Sequence, residues 1–471
     1  MLATALLLAA CGRAPTPSVL PSQENPTNIS ATTPTSTSKS PSATPEKVTT
    51  PGAALAVNPG GLQGLKLRFW HVWSGEAGAV LEELVEAFNA ENEYGIQVAT
   101  SRLANYNDLY GKVEAALAAD DPPHVAVGYN YQLLIWAQAS DAVLDLAPYV
   151  SDSQWGLEES EQADFYPTFW EQELAGGFRF GMPALRFAEV MAYNLSWAEE
   201  LGFSSPPGTT AEFQRQACAA AQANNADDDP ENNGTGGWAI NTGPATTISW
   251  LYAFGSQAVQ PGGRGYQFNT PESAAAIAYL MDLSAGGCAW QPSSDYAEGE
   301  FAGRQALFIT VSTADLPFIK AAMDSGEYQD EWALLAFPSA AREKTLDVFG
   351  PALAVFRSTP EEQLASWLLV KWLLAPPNQA RWAAATSALP TRTSTLALME
   401  DYAAANPQWA QAALLLPHAK PEPAFASWSV VRWAVGDVGT QTFRFYFTSE
   451  RIEAMLDLLD ETAAELHARF R

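Results

Sequence analysis

The sequence predicts an α/β chain of roughly two domains, each a mostly parallel sheet flanked by helices. Three observations carry this. The chain has 471 residues, whereas single cores stop growing near about 150–250 residues. Hydrophobic residues make up 47% of it, enough to fill real cores. The early folded stretch alternates between strand-like and helix-like hydrophobic periods.

The elements follow in order. Residues 67–70 read as a strand. Residues 77–89 carry Val80, Leu81, Leu84, Val85 and Phe88 on one helical face. Residues 96–100 and 124–127 are further strands, and 106–119 and 132–139 further helices. This alternation predicts right-handed βαβ units and a parallel sheet. Ligands of such sheets lie beyond the carboxyl ends of the strands. The loops there are 71–76, 103–105 and 128–131, rich in aromatic and polar residues. Later, 210–224 and 270–285 read as helices, the second opening Thr-Pro-Glu with good start signals. Residues 298–308 read as a helix running into a strand. Helices over 360–374, 378–386 and 449–470 close the chain. No fixed-period repeat is present.

The first 64 residues read differently. Residues 2–10 are apolar or small, like the hydrophobic region of an export signal and too short to span a bilayer. No Lys or Arg precedes them, so a start codon further upstream is expected. Leu8-Ala-Ala-Cys11 resembles the bacterial lipobox, which makes Cys11 the expected lipidation point. Residues 12–64 hold 9 Pro, 7 Ser and 9 Thr and no aromatic. Such a stretch cannot offset its ordering entropy by burial, so 11–64 is expected to be a disordered tether. It would reach on the order of 40 Å as a coil.

Charge excludes several functions. The chain has 53 Asp+Glu against 25 Lys+Arg, a formal net of -28, and only five of these charges fall in the tether. That argues against nucleic acid and against an anionic membrane surface as partners. Four histidines (His71, His124, His418, His467) and three cysteines exclude zinc-finger and iron–sulfur spacings. No cofactor is expected. No nucleophile elbow, zinc-protease or phosphate-loop motif occurs.

Taken together, several segments resemble the family 1 extracellular solute-binding proteins of bacterial ABC importers. They are Phe69-Trp-His-Val-Trp-Ser-Gly75, Leu84-Val-Glu-Ala-Phe-Asn89, Gly95-Ile-Gln-Val98 and Ala115-Ala-Leu-Ala-Ala-Asp-Asp-Pro-Pro123. Gly181-Met-Pro183 with Ala192-Tyr-Asn194, Pro206-Pro-Gly-Thr209 with Glu212-Phe213, Phe301-Ala-Gly-Arg-Gln-Ala306, Phe349-Gly-Pro-Ala-Leu-Ala-Val355 and Ala388-Leu-Pro-Thr-Arg392 continue it. The chain departs from the family pattern at His124, usually Asp, and at Thr210, usually Trp. Order and spacing over about 400 residues, rather than any single match, carry the resemblance.

The resemblance implies a two-lobe periplasmic-binding-protein-like fold of type II, closing about hinge crossings like a flytrap. The crossings are expected at 182–186, 347–353 and 396–402. One lobe is then 65–183 with 350–398, the other 186–346 with 402–471. It also implies a monomer that binds a mono- or oligosaccharide and delivers it to permease subunits, held outside the cell membrane by a lipid anchor. Aromatic rings cover the apolar face of a sugar, while carboxylates, amides and Arg bind its hydroxyls. On that basis the expected ligand residues are Trp73, Ser74, Glu76, Tyr106, Tyr129, Asn130, Arg186, Trp250, Ser312, Gly350 and Trp428. Gly350 is included because a backbone N–H there can approach a ligand closely. Each Trp could equally be core packing, and Arg186 could simply pair with a carboxylate. A phosphorylated ligand is disfavoured because residues 421–428 offer no Arg or Lys.

Two features stay open. Cys218 and Cys288 form either a disulfide or two buried thiols. Asp229, Glu231 and Asn233 have the spacing of an acidic calcium loop, but position twelve is Ile240, so a solvated acidic turn is the favoured reading. The competing functions are a secreted glycan-active hydrolase and a sensor or adhesin using the same fold.

Overall fold

The computed structural model describes residues 55–470, except 295, 341 and 342 and the side chain of Ser140. The expected export signal, Cys11 and most of the expected tether lie outside these residues. The tether ends earlier than expected. Leu62 is fully buried, and the Leu55 N–H donates to Asp152 at 2.7 Å. Two apolar side chains with a carboxylate to receive them are enough to dock the end of a stretch whose composition is otherwise polar.

The chain runs β1 (Lys66–His71), α1 (Gly75–Glu91), β2 (Gln97–Arg102), α2 (Tyr106–Ala118), β3 (Val125–Tyr129) and α3 (Asn130–Ser140). Then come β4 (Met182–Pro183), β5 (Phe187–Asn194), α4 (Thr210–Ala226), β6 (Gly236–Ala239), α5 (Pro244–Ala253) and α6 (Pro271–Ala285). Next are β7 (Ala289–Trp290), α7 (Glu298–Ala302), β8 (Ala306–Ser312), β9 (Trp332–Leu335), β10 (Leu346–Phe349) and β11 (Pro351–Val355). The last elements are α8 (Pro360–Leu373), α9 (Pro376–Thr386), α10 (Thr393–Ala397), α11 (Pro407–Ala413), β12 (Ala419–Pro421), α12 (Trp428–Thr442) and α13 (Ile452–Ala468).

Local chemistry sets the helix starts. Asn105 caps α2 by accepting from the N–H groups of Asn107 and Asp108. Thr209 with Glu212 and Thr359 with Glu362 form reciprocal capping boxes on α4 and α8. Each satisfies donors that the first turn leaves unpaired.

The strands form two main sheets. The first has the order β2-β1-β3-β11-β4. Its first three strands are parallel, and β11 runs antiparallel to both its neighbours. The second has the order β7-β6-β8-β5-β10-β12, with β9 also paired to β5. The chain leaves the first sheet at 184–186 and returns at Gly350. It leaves again after α10, since α11 packs on β9 and β12 joins β10. The molecule therefore has two α/β lobes.

The first two crossings touch. A Cβ on Gly350 would lie 2.4 Å from the Leu185 carbonyl oxygen, so only glycine fits. Arg186 is fully buried. It donates to Gln172, to the carbonyls of Leu185 and Pro351, and to Glu173 at 2.5 Å. It ties the crossings to the first lobe.

Cys218 on α4 is bonded to Cys288, just before β7, across a separation of 70 residues. Of the two open readings, the disulfide is the one present. The acidic turn uses its own side chains. Asp227 accepts from the Asp229 N–H, Asp229 from the Glu231 N–H, and Asn225 from the Gly234 N–H. Among the described residues no group of three or more His, Cys, Asp or Glu could hold a metal ion.

Candidate functional site

The second sheet carries a polar rung. Register pairs Ser312 of β8 with Glu189 of β5, Glu189 with Asp347 of β10, and Asp347 with Lys420 of β12. Directly paired residues point to one face. Two carboxylates therefore sit side by side, and Asp347 and Glu189 are only 2% and 6% exposed. Helix α5 packs over this face. Thr246 donates to Glu189 at 2.7 Å. Lys420 Nζ donates to the Ser256 carbonyl and lies 3.9 Å from the centre of the Tyr252 ring.

The segment after β12 adds Glu422, 3% exposed, and the first turns of α12 add Arg432. From the other lobe, the end of β3 and the start of α3 bring Tyr129 and Tyr131, whose rings stack at 5.7 Å. Tyr106, at the start of α2, lies 4.7 Å from Tyr129. Arg432 Nη1 reaches the Tyr131 hydroxyl at 3.4 Å. One group of side chains thus spans the two lobes.

The electrostatics are unusual for a surface-rich acidic protein. Burial, then the Thr246 bond working against it, and the charges of Asp315 and Glu422 leave Glu189 pushed up to about 7. Burial, together with Glu422 and Glu189, holds Asp347 well above the ordinary carboxylate range. Burial pulls Lys420 down to about 8, with Asp347 opposing. Burial also disfavours the Arg432 charge, but Glu422, Tyr131 and Tyr129 outweigh it and raise its pKa.

Several of these groups lack partners. Both Asp347 oxygens, Glu422 Oε1, Arg432 Nε and Asn130 Nδ2 are buried without a hydrogen bond. A buried, unpaired polar group costs roughly 1–3 kcal/mol. The four on Asp347, Glu422 and Arg432 are what a polyhydroxylated ligand would relieve.

The residues expected from sequence divide sharply. Tyr106 and Tyr129 lie in the group, and Asn130 stands between Tyr129 and Tyr131 in the chain, its Oδ1 accepting from the Tyr131 N–H. Ser312 lies on its rung, with its hydroxyl capping the turn at Ala314. Ser74 and Glu76 are exposed at the start of α1. The others are placed elsewhere. Arg186 spends four donated bonds on the protein itself. Gly350 is approached by the Leu185 carbonyl, not by open space. Trp73 is 9% exposed, edge-on to Trp382 at 4.7 Å. Trp250 is 1% exposed among Phe213, Trp238, Tyr279 and Phe337. Trp428 is fully buried beside Tyr266. Large rings fill core volume first, and all three tryptophans do so here.

Sequence reasoning missed Glu189, Asp347, Glu422, Tyr131, Lys420 and Arg432 as site residues. Residues 421–428 lack a cation, but Lys420 and Arg432 flank that segment, the first on the rung and the second against Tyr131. Two open surface cavities, about 450 and 360 Å³, lie in the second lobe and include none of these side chains.

Comparison with known proteins gives the setting. A search of the curated proteins found no match. Among solved structures, the cyclic α-maltosyl-1,6-maltose binding protein of Arthrobacter globiformis is 18% identical, with a TM-score of 0.72 over 86% of this chain and 100% of that one. The sugar-binding protein MalE of Xanthomonas citri is 21% identical, with a TM-score of 0.73 over 86% and 98%. UgpB of Mycobacterium tuberculosis, solved with glycerophosphocholine, is 17% identical, with a TM-score of 0.67 over 86% and 98%. These likenesses are of fold. The profile of a family described as bacterial extracellular solute-binding protein matches residues 83–415. With well over half of its length matched to that profile, the chain belongs to the bacterial extracellular solute-binding proteins.

Proposed function

We propose that the protein captures a carbohydrate between its lobes and delivers it to the permease of an ABC importer. The observation that supports this most is the convergence of the unpaired, buried oxygens of Asp347 and Glu422 and the unpaired Nε of Arg432 with the tyrosines of the opposite lobe. A sugar presents hydroxyl donors and acceptors along its edge and C–H on its faces, and this set matches both. Two of the similar structures are a cyclic α-maltosyl-1,6-maltose binding protein and a sugar-binding protein. The family places the protein outside the cytoplasm, and no helix among the described residues is long and apolar enough to cross a membrane. Lipidation at Cys11 and action as a monomer complete the proposal.

The hydrolase reading fits less well. A glycosidase needs its two carboxylates on either side of the scissile bond. Glu189 and Asp347 are neighbours on one face of one sheet, so both approach a ligand from the same side.

Titration calorimetry against mono- and oligosaccharides tests the proposal, with a glycerol phosphodiester as the contrasting probe. Saturable heat from a sugar, lost in Arg432→Ala, is the expected result. Binding of the phosphodiester with no sugar response would overturn the substrate class.

A further inference from the structure

The second lobe's share of the site holds more carboxyl groups than cationic groups. Glu189, Asp347 and Glu422 are each less than a tenth exposed, and Asp315 stands close enough to act on Glu189. Against them stand Lys420 and Arg432. The Lys420 ammonium is committed to the Ser256 carbonyl and the Tyr252 ring. Arg432 faces Tyr131. Neither gives a hydrogen bond to Asp347, whose two oxygens stay unpaired, or to Glu422 Oε1.

A neutral sugar hydroxyl would satisfy one oxygen and leave unrelieved the burial and carboxyl crowding that hold Asp347 protonated. An anion would be repelled. A bound metal ion is disfavoured, because among the described residues no set of ligands fits one. An ammonium answers each need. It supplies a positive charge and up to three donors, and the π faces of Tyr106, Tyr129 and Tyr131 favour a cation. The inference rests on the carbohydrate reading and narrows it.

We propose that the site takes a carbohydrate bearing a protonated amino group, held by Asp347 and Glu422 against the tyrosines of the first lobe.

Proton linkage follows from the same arrangement. Glu189 titrates near 7 and Asp347 lies above the usual range because of burial. The groups acting on them are Glu422, Asp315, Lys420, Arg432 and Tyr252. An ammonium that needs the carboxylates charged displaces their protons. Its affinity therefore rises as pH rises through about 7, whereas that of a neutral sugar does not.

The test is calorimetry on the full chain with matched sugars: glucose, glucosamine and N-acetylglucosamine, the corresponding galactose series, and the β-1,4-linked glucose, glucosamine and N-acetylglucosamine disaccharides. The expected result is that at least one amino sugar binds about tenfold or more tightly than its hydroxyl and acetamido counterparts at pH 7. Asp347→Asn and Glu422→Gln should abolish that preference. If a variant fails to fold, the wild-type pH series decides: a rise with pH for the amino sugar alone supports the proposal, and parallel curves overturn it. Equal or tighter binding of the neutral partner overturns it while leaving the carbohydrate reading intact. Heat from spermidine but from no sugar overturns the carbohydrate reading and keeps the cation site. No heat from any probe overturns both.

Discussion

Replacing Gly350 by alanine would press a methyl group into the contact between two lobe crossings. The new Cβ would stand 2.4 Å from the Leu185 carbonyl oxygen, 3.0 Å from the Arg186 Cα and 3.2 Å from the Leu185 carbonyl carbon. All three are backbone atoms, so no rotamer change relieves the clash. Overpacking of this kind costs about 1–3 kcal/mol. The positive φ of 154° adds roughly another 1 kcal/mol for a residue with a side chain. A total near about 3 kcal/mol corresponds to a melting-point loss of roughly 6–12 °C for a domain of about 200 residues. Gly111 is the matched control. It lies within α2, and a Cβ there meets nothing within 4 Å. Gly111→Ala should therefore be neutral, or stabilising by about 0.5–1 kcal/mol. Thermal melts by circular dichroism compare the two variants with wild type. If Gly350→Ala melts within about 1 °C of wild type, the argument that the crossings are in hard contact is wrong.

Four further predictions concern charge and covalent structure. Glu189 is raised to about 7 in the fold, so the stability it contributes is full below its ordinary 4.5 and is lost as pH rises through 7. Urea melts of ligand-free protein should show that decline, and Glu189→Gln should flatten it. Asp164 has the opposite sign. It accepts from Ser394, Thr393 and Arg392 and is held down at about 2, so its contribution is present above 3.8 and disappears as pH falls through 2. Arg186→Met strands the buried Glu173 and should cost about 3–5 kcal/mol, while adding Glu173→Gln should restore most of it; denaturant melts of the single and double variants report this. Reducing Cys218–Cys288 opens a loop spanning 70 residues, a loss of up to about 4 kcal/mol that differential scanning calorimetry with and without a phosphine reductant measures.

The first lobe was readable because its physics is local. In β1 through α3, strand and helix periods alternate, and amphipathic faces such as Leu81, Leu84, Val85 and Phe88 are unambiguous. The second lobe was harder. Strand β5 is buried along most of both faces, so it lacks the alternation that marks a half-exposed strand. Helix α12 carries Gly436 and Gly439, which lower its propensity. They are there because Pro244 and Thr247 of α5 pack where side chains would stand.

The site divided along the same line. Tyr106, Tyr129 and Asn130 follow parallel strands, where a general rule places ligands. Asp347, Glu422 and Arg432 gave no signal, since they are three among many charged residues. They become special only when strand pairing and the approach of α12 leave both Asp347 oxygens, Glu422 Oε1 and Arg432 Nε buried without partners. The tryptophans misled for a complementary reason. Aromatic type shows that a residue is large and apolar, not whether a core or a cleft receives it.

The central claim is that one ligand engages both lobes at once. Hydrogen–deuterium exchange with and without a saturating sugar, chosen from the calorimetric panel, tests it most directly. The account predicts added protection in two separate segments, 128–132 of the first lobe and 420–434 of the second, with none around 255–272, where the 450 Å³ cavity lies. Protection confined to one lobe, or centred on that cavity, would contradict it.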